Sequence, residues 1–133
     1  PSRDELLNLP PLGRRWPAIH TASGRAILAA MKDDERDEVL SASSFSKTTP
    51  HSLTTLESIA RAIEDIKKSG YSYQSEEVLL GAASVGAAIV GTNGEVQGAI
   101  ILGGAVEAFQ DIDQRHILGN AVKQAARAIG AYI

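Results

Sequence analysis

Hydrophobic and polar positions along the chain fall into two regimes. Between Val78 and Leu102 the chain is largely apolar, in two runs, Val78–Val90 and Val96–Leu102, joined by Gly91-Thr92-Asn93-Gly94. An Asn-Gly pair between apolar runs is a strong hairpin signal, because both residues tolerate φ > 0. Both runs contain β-branched residues, are nearly free of charge and are short enough to be buried strands, so they predict a core hairpin. The first is too short for a membrane span, which needs roughly 20 apolar residues, and Glu76-Glu77 and Glu95 bracket it. Tyr71–Ser75 alternates just ahead of it and predicts a third strand.

Elsewhere the apolar period is helical. Thr21 is a candidate N-cap for a helix reaching Met31, with Ala22, Ala26, Ile27, Ala30 and Met31 as its apolar stripe. Lys32–Ser41 predicts a charge-dense second helix with Val39 and Leu40 facing inward and the charges forming a solvated face. Ser41–Ser52 is Ser/Thr-rich and contains Pro50, so it predicts a loop, with Phe45 as an anchor. Thr54-Thr55-Leu56-Glu57 fits a capping box built on Thr54 and Glu57. The helix it opens would bury Leu56, Ile59, Ala60, Ile63 and Ile66, pair Glu57 with Arg61 and Glu64 with Lys68, and stop at Gly70. Asp111 caps a last helix whose expected buried face is Ile117, Ala121, Ala125, Ala128 and Ile129. The N-terminal stretch holds four of the five prolines; Pro10-Pro11 and Trp16-Pro17 block regular helix there, and Leu6–Leu9 fits an extended segment or a short turn.

Three helices, three consecutive strands and a final helix make an α+β domain: an antiparallel meander flanked by helices. Its 133 residues suit one domain, 1–133, able to bury a real core. A start on Pro rather than Met leads us to expect a piece of a longer protein.

Composition narrows the chemistry. With 44% hydrophobic and 22% charged residues the chain is that of an ordinary globular protein, and a net charge of −3 argues against a phosphate-binding surface. This segment alone should not hold DNA. Zero cysteines remove disulfides, thiolate metal sites and cysteine nucleophiles, and fit a reducing compartment. The polar start at Pro1-Ser2-Arg3-Asp4-Glu5 lacks the apolar core of a signal peptide. His20, His51 and His116 are scattered, so surface or capping roles outweigh metal ligation. Glu76-Glu77 divides evenly between a carboxylate offered to a site and a strand-edge pair in water. Gly81, Gly86 and Gly91 do not make a phosphate loop, since Ala87-Ala88 follows Gly86 where Lys and Ser/Thr would be needed. No nucleophile–base arrangement is legible, and no catalytic residue, metal or cofactor is expected. What remains is a binding argument: apolar strands with a few placed polar groups, Gln74 and Ser84, beside the positive end of the Thr21 helix. Buried serines that merely satisfy core hydrogen bonds are the commoner alternative.

Two segments resemble a known family. Pro17-Ala18-Ile19-His20-Thr21-Ala22-Ser23-Gly24-Arg25-Ala26-Ile27-Leu28-Ala29 is similar to the P-L-H-A-T-A-x-G-K-A-x-L-A segment of IclR-type transcriptional regulators. About fifty residues on, Gly70-Tyr71 followed by Glu77, Gly81, Ser84, Val85 and Gly86 resembles that family's signature. The resemblance covers roughly residues 13 to 133. It implies the C-terminal effector-binding domain, of GAF/PAS-like α+β fold truncated at its N-terminus, in a cytoplasmic homodimer or homotetramer. DNA would be bound only by an absent N-terminal winged helix-turn-helix, with no membrane contact and no enzyme activity. Effector contacts carried over by position are Ala22, Ser23, Gln74, Ala82, Ser84, Ile101 and Gly103. Gln74 stands where the family often has an aspartate, Ser84 where it has a cysteine, Ile101 and Gly103 where it has serines, and Val90-Gly91 where it has an aromatic–acid pair. The more apolar pocket that results implies a small organic acid, aromatic or medium-sized, rather than a small keto acid. The alternatives are a dimerising scaffold without a ligand and, with cysteines absent, a disfavoured GAF-fold enzyme.

Overall fold

A computed structural model describes residues 15–133; the expectations at Pro10-Pro11 and over Leu6–Leu9 lie outside them. A 3₁₀ turn (Ala18–His20) leads into α1 (Ala22–Ala30), α2 (Asp33–Ala42) and α3 (Leu56–Ser69). Strands β1 (Ser72–Ser75), β2 (Ala82–Val90) and β3 (Val96–Ala105) follow, then a second 3₁₀ turn (Val106–Phe109) and α4 (Ile112–Gly130). The predicted order of helices and strands holds, and the sheet is an antiparallel meander, β1-β2-β3.

Each sheet face has its own cover. Ala83, Val85 and Ala87 turn one way, into a core with Tyr71, Phe109, Val122 and Ala126 of α4. Ser84 and Gly86 turn the other way, toward α1: a Cβ added at Gly86 would stand 3.2 Å from the carbonyl carbon of Ala22. Because β2 is buried on both faces, its sequence reads as a continuous apolar run rather than an alternation. A second core joins α1, α2 and α3 through Ile19, Leu28, Leu40, Ile59 and Ile63, with Val39 and Phe45 packed against it as expected.

Several expectations shift. The strand predicted from Val78 begins at Ala82, because Glu76–Gly81 forms the β1–β2 connection, with φ 57° at Glu76 and 82° at Gly81. Tyr71 lies just outside β1. Of the Asn93-Gly94 pair only Gly94 has positive φ; Gly94 N–H donates to Gly91 O and Gly91 N–H to Glu95 O, both at 2.9 Å, a three-residue loop rather than a two-residue turn. β3 runs on to Ala105, and Ile101 and Leu102 are exposed rather than core.

Thr21 caps α1 by accepting from Gly24 N–H at 3.0 Å, and Asp111 caps α4. At α3 the cap is Thr55, which accepts from Ser58 N–H at 3.1 Å, so the box on Thr54 does not form and Glu57 reaches Arg61 instead. Leu56 and Ala60 are exposed, and Glu64 pairs with Lys67 rather than Lys68. Gly70 ends α3 at φ 85°. In α1 Ala30 is exposed, and Leu28 and Arg25 are buried in its place. α4 is rotated from the expected face: Gly119, Val122, Ala126 and Gly130 are buried, while Ile117, Ala121, Ala128 and Ile129 are exposed and Ala125 is intermediate.

Candidate functional site

Strand register assembles the residues singled out in the sequence. Alternate residues of a strand share a face, and the pairing sets Ser72 opposite Gly86 and Gly86 opposite Ile101 in one row. The next row is Gln74, Ser84 and Gly103, and the one beyond sets Ala82 opposite Ala105. Gln74, Ala82, Ser84, Ile101 and Gly103 therefore lie on one face, with Ala22 set over Gly86. Ser23, half-buried, follows Ala22 in the first turn of α1.

The cover is incomplete. α1 closes on the Gly86 row, where Ser72 Oγ donates to Ala22 O at 2.6 Å. Toward the Gly103 row the face opens: a Cβ at Gly103 would touch only Ser84 Cβ (3.6 Å) and Ala83 O (3.7 Å), and Ile101 is 52% exposed. The arrangement is a shelf rather than an enclosed chamber. Two hollows among the described residues lie elsewhere. One, of about 320 Å³, is bounded by α3, Tyr71, Tyr73, Arg115 and His116. The other, of about 480 Å³, lies between Met31, Lys32 and Glu35 and the β2–β3 hairpin. Neither includes Gln74, Ser84 or Gly103.

A buried polar framework supports the shelf. Arg25, 2% exposed, donates through Nη1 to Glu77 Oε2 at 2.7 Å and through Nη2 to Oε1, while its Nε donates to Ile19 O at 2.6 Å. Glu77 Oε1 also accepts from Leu53 N–H at 3.2 Å, and Glu77 O accepts from Ser52 Oγ at 2.7 Å. Its own N–H donates to Gln74 Oε1 at 3.2 Å, and Gln74 Nε2 donates to Ser84 Oγ at 2.9 Å. Ion pair, 48–53 loop, β1 and β2 thus form one connected unit. Such an ion pair needs bidentate geometry and satisfied remaining groups to offset desolvation, and both are present.

These contacts settle the acidic pair: Glu77 is a buried structural anion, and Glu76 accepts from Gly81 N–H at 2.9 Å within the connection. They also correct the reading of His20, which is fully buried and donates from Nε2 to Leu53 O at 3.0 Å. His51 stands 3.7 Å from Glu76, and His116 Nδ1 is hydrogen-bonded to the Tyr71 hydroxyl. Among the described residues no group of three His, Cys, Asp or Glu could hold a metal. Arg36 departs from the solvated face predicted for α2: it is buried and donates to Leu28 O and Met31 O at 3.4 and 3.3 Å, closing the end of α1. Sequence reasoning missed Arg25. The available signal was an arginine on the apolar stripe of a helix, matched by a glutamate abutting an apolar run.

Residues 2–131 match the family described as bacterial transcriptional regulator IclR C-terminal, and the chain belongs to that family. The repressor AllR of Escherichia coli K12 is 26% identical over 119 residues, covering 90% of this chain and 44% of its own length. The solved IclR of Thermotoga maritima is 27% identical with a TM-score of 0.79, over 92% of this chain and 51% of that one. The inducer-binding domain of PobR from Acinetobacter, a double mutant in complex with 3-hydroxybenzoic acid, shares the fold with a TM-score of 0.75 at 17% identity, over 95% of this chain and 74% of that one. The chain spans about half the length of the curated relatives it matches.

Proposed function

We propose that this domain senses a small organic acid and reports its presence to a DNA-binding part outside the chain. The observation that carries this reading is the shelf: Gln74, Ala82, Ser84 and Gly103 share one sheet face, open above and bordered by the start of α1. The first turn of a helix favours an anion, and Ile101 and Gly103 supply apolar floor. An aromatic or medium-sized acid suits that mixture better than glyoxylate or pyruvate. PobR, crystallised with 3-hydroxybenzoic acid, provides a precedent on the same fold. Ligand seated between α1 and the sheet would favour one arrangement of a homodimer or homotetramer and so reposition the DNA-binding parts, a population shift. The role is regulatory rather than catalytic, as in the named relatives, and cytoplasmic. No helix of the described residues is long and apolar enough to cross a membrane.

Calorimetry against a panel of aromatic and keto acids tests the reading, with Ala82→Trp and Gly103→Trp as blocking variants. Binding of an aromatic acid, lost in both variants while the fold and oligomer persist, is the expected result. Unchanged binding in the variants puts the site elsewhere, and tight binding of pyruvate or glyoxylate but of no aromatic acid overturns the ligand class. The close packing of Ala22 on Gly86 favours a second reading, a ligand-free scaffold; it predicts no thermal shift with any compound.

A further inference from the structure

A directed series of hydrogen bonds ends at the shelf. A backbone N–H can only donate, so the group that Gln74 turns toward Glu77 N–H must be its amide oxygen, at 3.2 Å. The amide nitrogen is thereby turned to Ser84 Oγ, 2.9 Å away. Ser84 Oγ is the acceptor in that bond, and its own proton finds no acceptor among the described residues. Ser84 is 8% exposed, beside the open space over Gly103. The first donor is itself held in place. The Glu77 carboxylate grips Arg25 and Leu53 N–H, and the Glu77 carbonyl accepts from Ser52, so the residue is fixed on both sides.

Resting on the effector-site reading above, we propose that Glu77 is a positioning residue that sets the polarity of the site. By orienting the Gln74 amide it leaves the Ser84 hydroxyl as a donor facing the shelf. The site then selects a ligand group that accepts and does not donate, a carboxylate or ketone oxygen, over an alcohol. An alcohol oxygen can also accept the Ser84 proton, but the alcohol's own proton would then be left unpaired there, an arrangement that buried sites discriminate against.

Gln74→Glu reverses this logic with almost no change of shape. A carboxylate accepts on both sides, from Glu77 N–H with one oxygen and from the Ser84 hydroxyl with the other. The Ser84 proton turns inward and its lone pairs face the ligand. Benzoate locates the site on the intact polypeptide, and two neutral probes, acetophenone (acceptor only) and 1-phenylethanol (a donor as well), read its polarity free of net charge.

Acetophenone should bind the wild type about fivefold or more tightly than 1-phenylethanol, a ratio on the scale of one hydrogen bond. The order should invert in Gln74→Glu, and the ratio should fall to about one in Ser84→Ala. In Glu77→Ala, checked for folding by circular dichroism, the ratio should collapse, while Glu77→Gln, which keeps an acceptor for Leu53, should retain it. An unchanged ratio in Gln74→Glu, with benzoate still excluded by Ala82→Trp, overturns the inference and leaves the effector-site reading standing. Benzoate binding that survives Ala82→Trp overturns both, and failure of all three probes to bind overturns the inference.

Discussion

Arg25 sits on the face of α1 that the apolar period assigns to the core, and nothing nearby in the chain explains it. Its partner, Glu77, is 52 residues away, so no local pattern could join them; Thr21, Ala22 and the helix itself were legible from capping and spacing. Breaking a buried pair strands the remaining charge, at about 3–5 kcal/mol. Arg25→Met should therefore lower unfolding free energy by about that amount, and the double variant Arg25→Met/Glu77→Leu should recover much of it, both read from denaturant midpoints. Tyr71 offers a pH test. Burial holds its hydroxyl above the usual value of 10.0, against the opposing pull of Arg115. The folded state thus prefers the neutral phenol. That contribution is complete below pH 10.0 and is lost as pH rises through the raised folded value. Urea midpoints measured upward from pH 8 should fall above pH 10 in the wild type and fall less in Tyr71→Phe.

At the scale of elements, the sequence order of helices and strands was readable because each apolar run is bounded by a strong stop or cap. Phase was harder. Thr54 and Thr55 are adjacent candidates for one cap; Thr54 is backed by Glu57 three residues on, Thr55 by Ser58, and the chain uses Thr55. Thr55→Ala should cost about 1 kcal/mol and Thr54→Ala much less, by thermal or urea denaturation. α4 carries two plausible faces. The larger side chains point to Ile117 and Ile129, yet the sheet accepts the side with Gly119 and Gly130, where little or no side chain lets the helix approach. A Cβ at Gly119 would lie 2.5 Å from the Tyr71 ring. Hydrophobicity ranks glycine poorly, so a face chosen for closeness was invisible to it.

Across the whole molecule, one sheet carries a closed core on its α4 side and a partly open shelf on its α1 side. The shelf residues were found from the resemblance, and their common face follows from the two-residue period once the register is known. The framework of Glu77, Leu53 and His20 beneath them required the three-dimensional structure. β3 is the exposed margin of this architecture: ten residues without a charged side chain, paired on one side only among the described residues. Uncharged edges invite pairing with another chain. Leu102→Lys should reduce concentration-dependent association of the 133-residue chain, followed by sedimentation velocity.

The long loop closed by Arg25 and Glu77 also bears on kinetics. Contacts so distant along a chain tend to form after local helices and hairpins, because loop closure must come first. A clasp made late guards the native state against opening more than it hastens arrival there. Stopped-flow measurements on Arg25→Met should accordingly show faster unfolding with a nearly unchanged refolding rate, making this ion pair a determinant of how long the folded domain lasts.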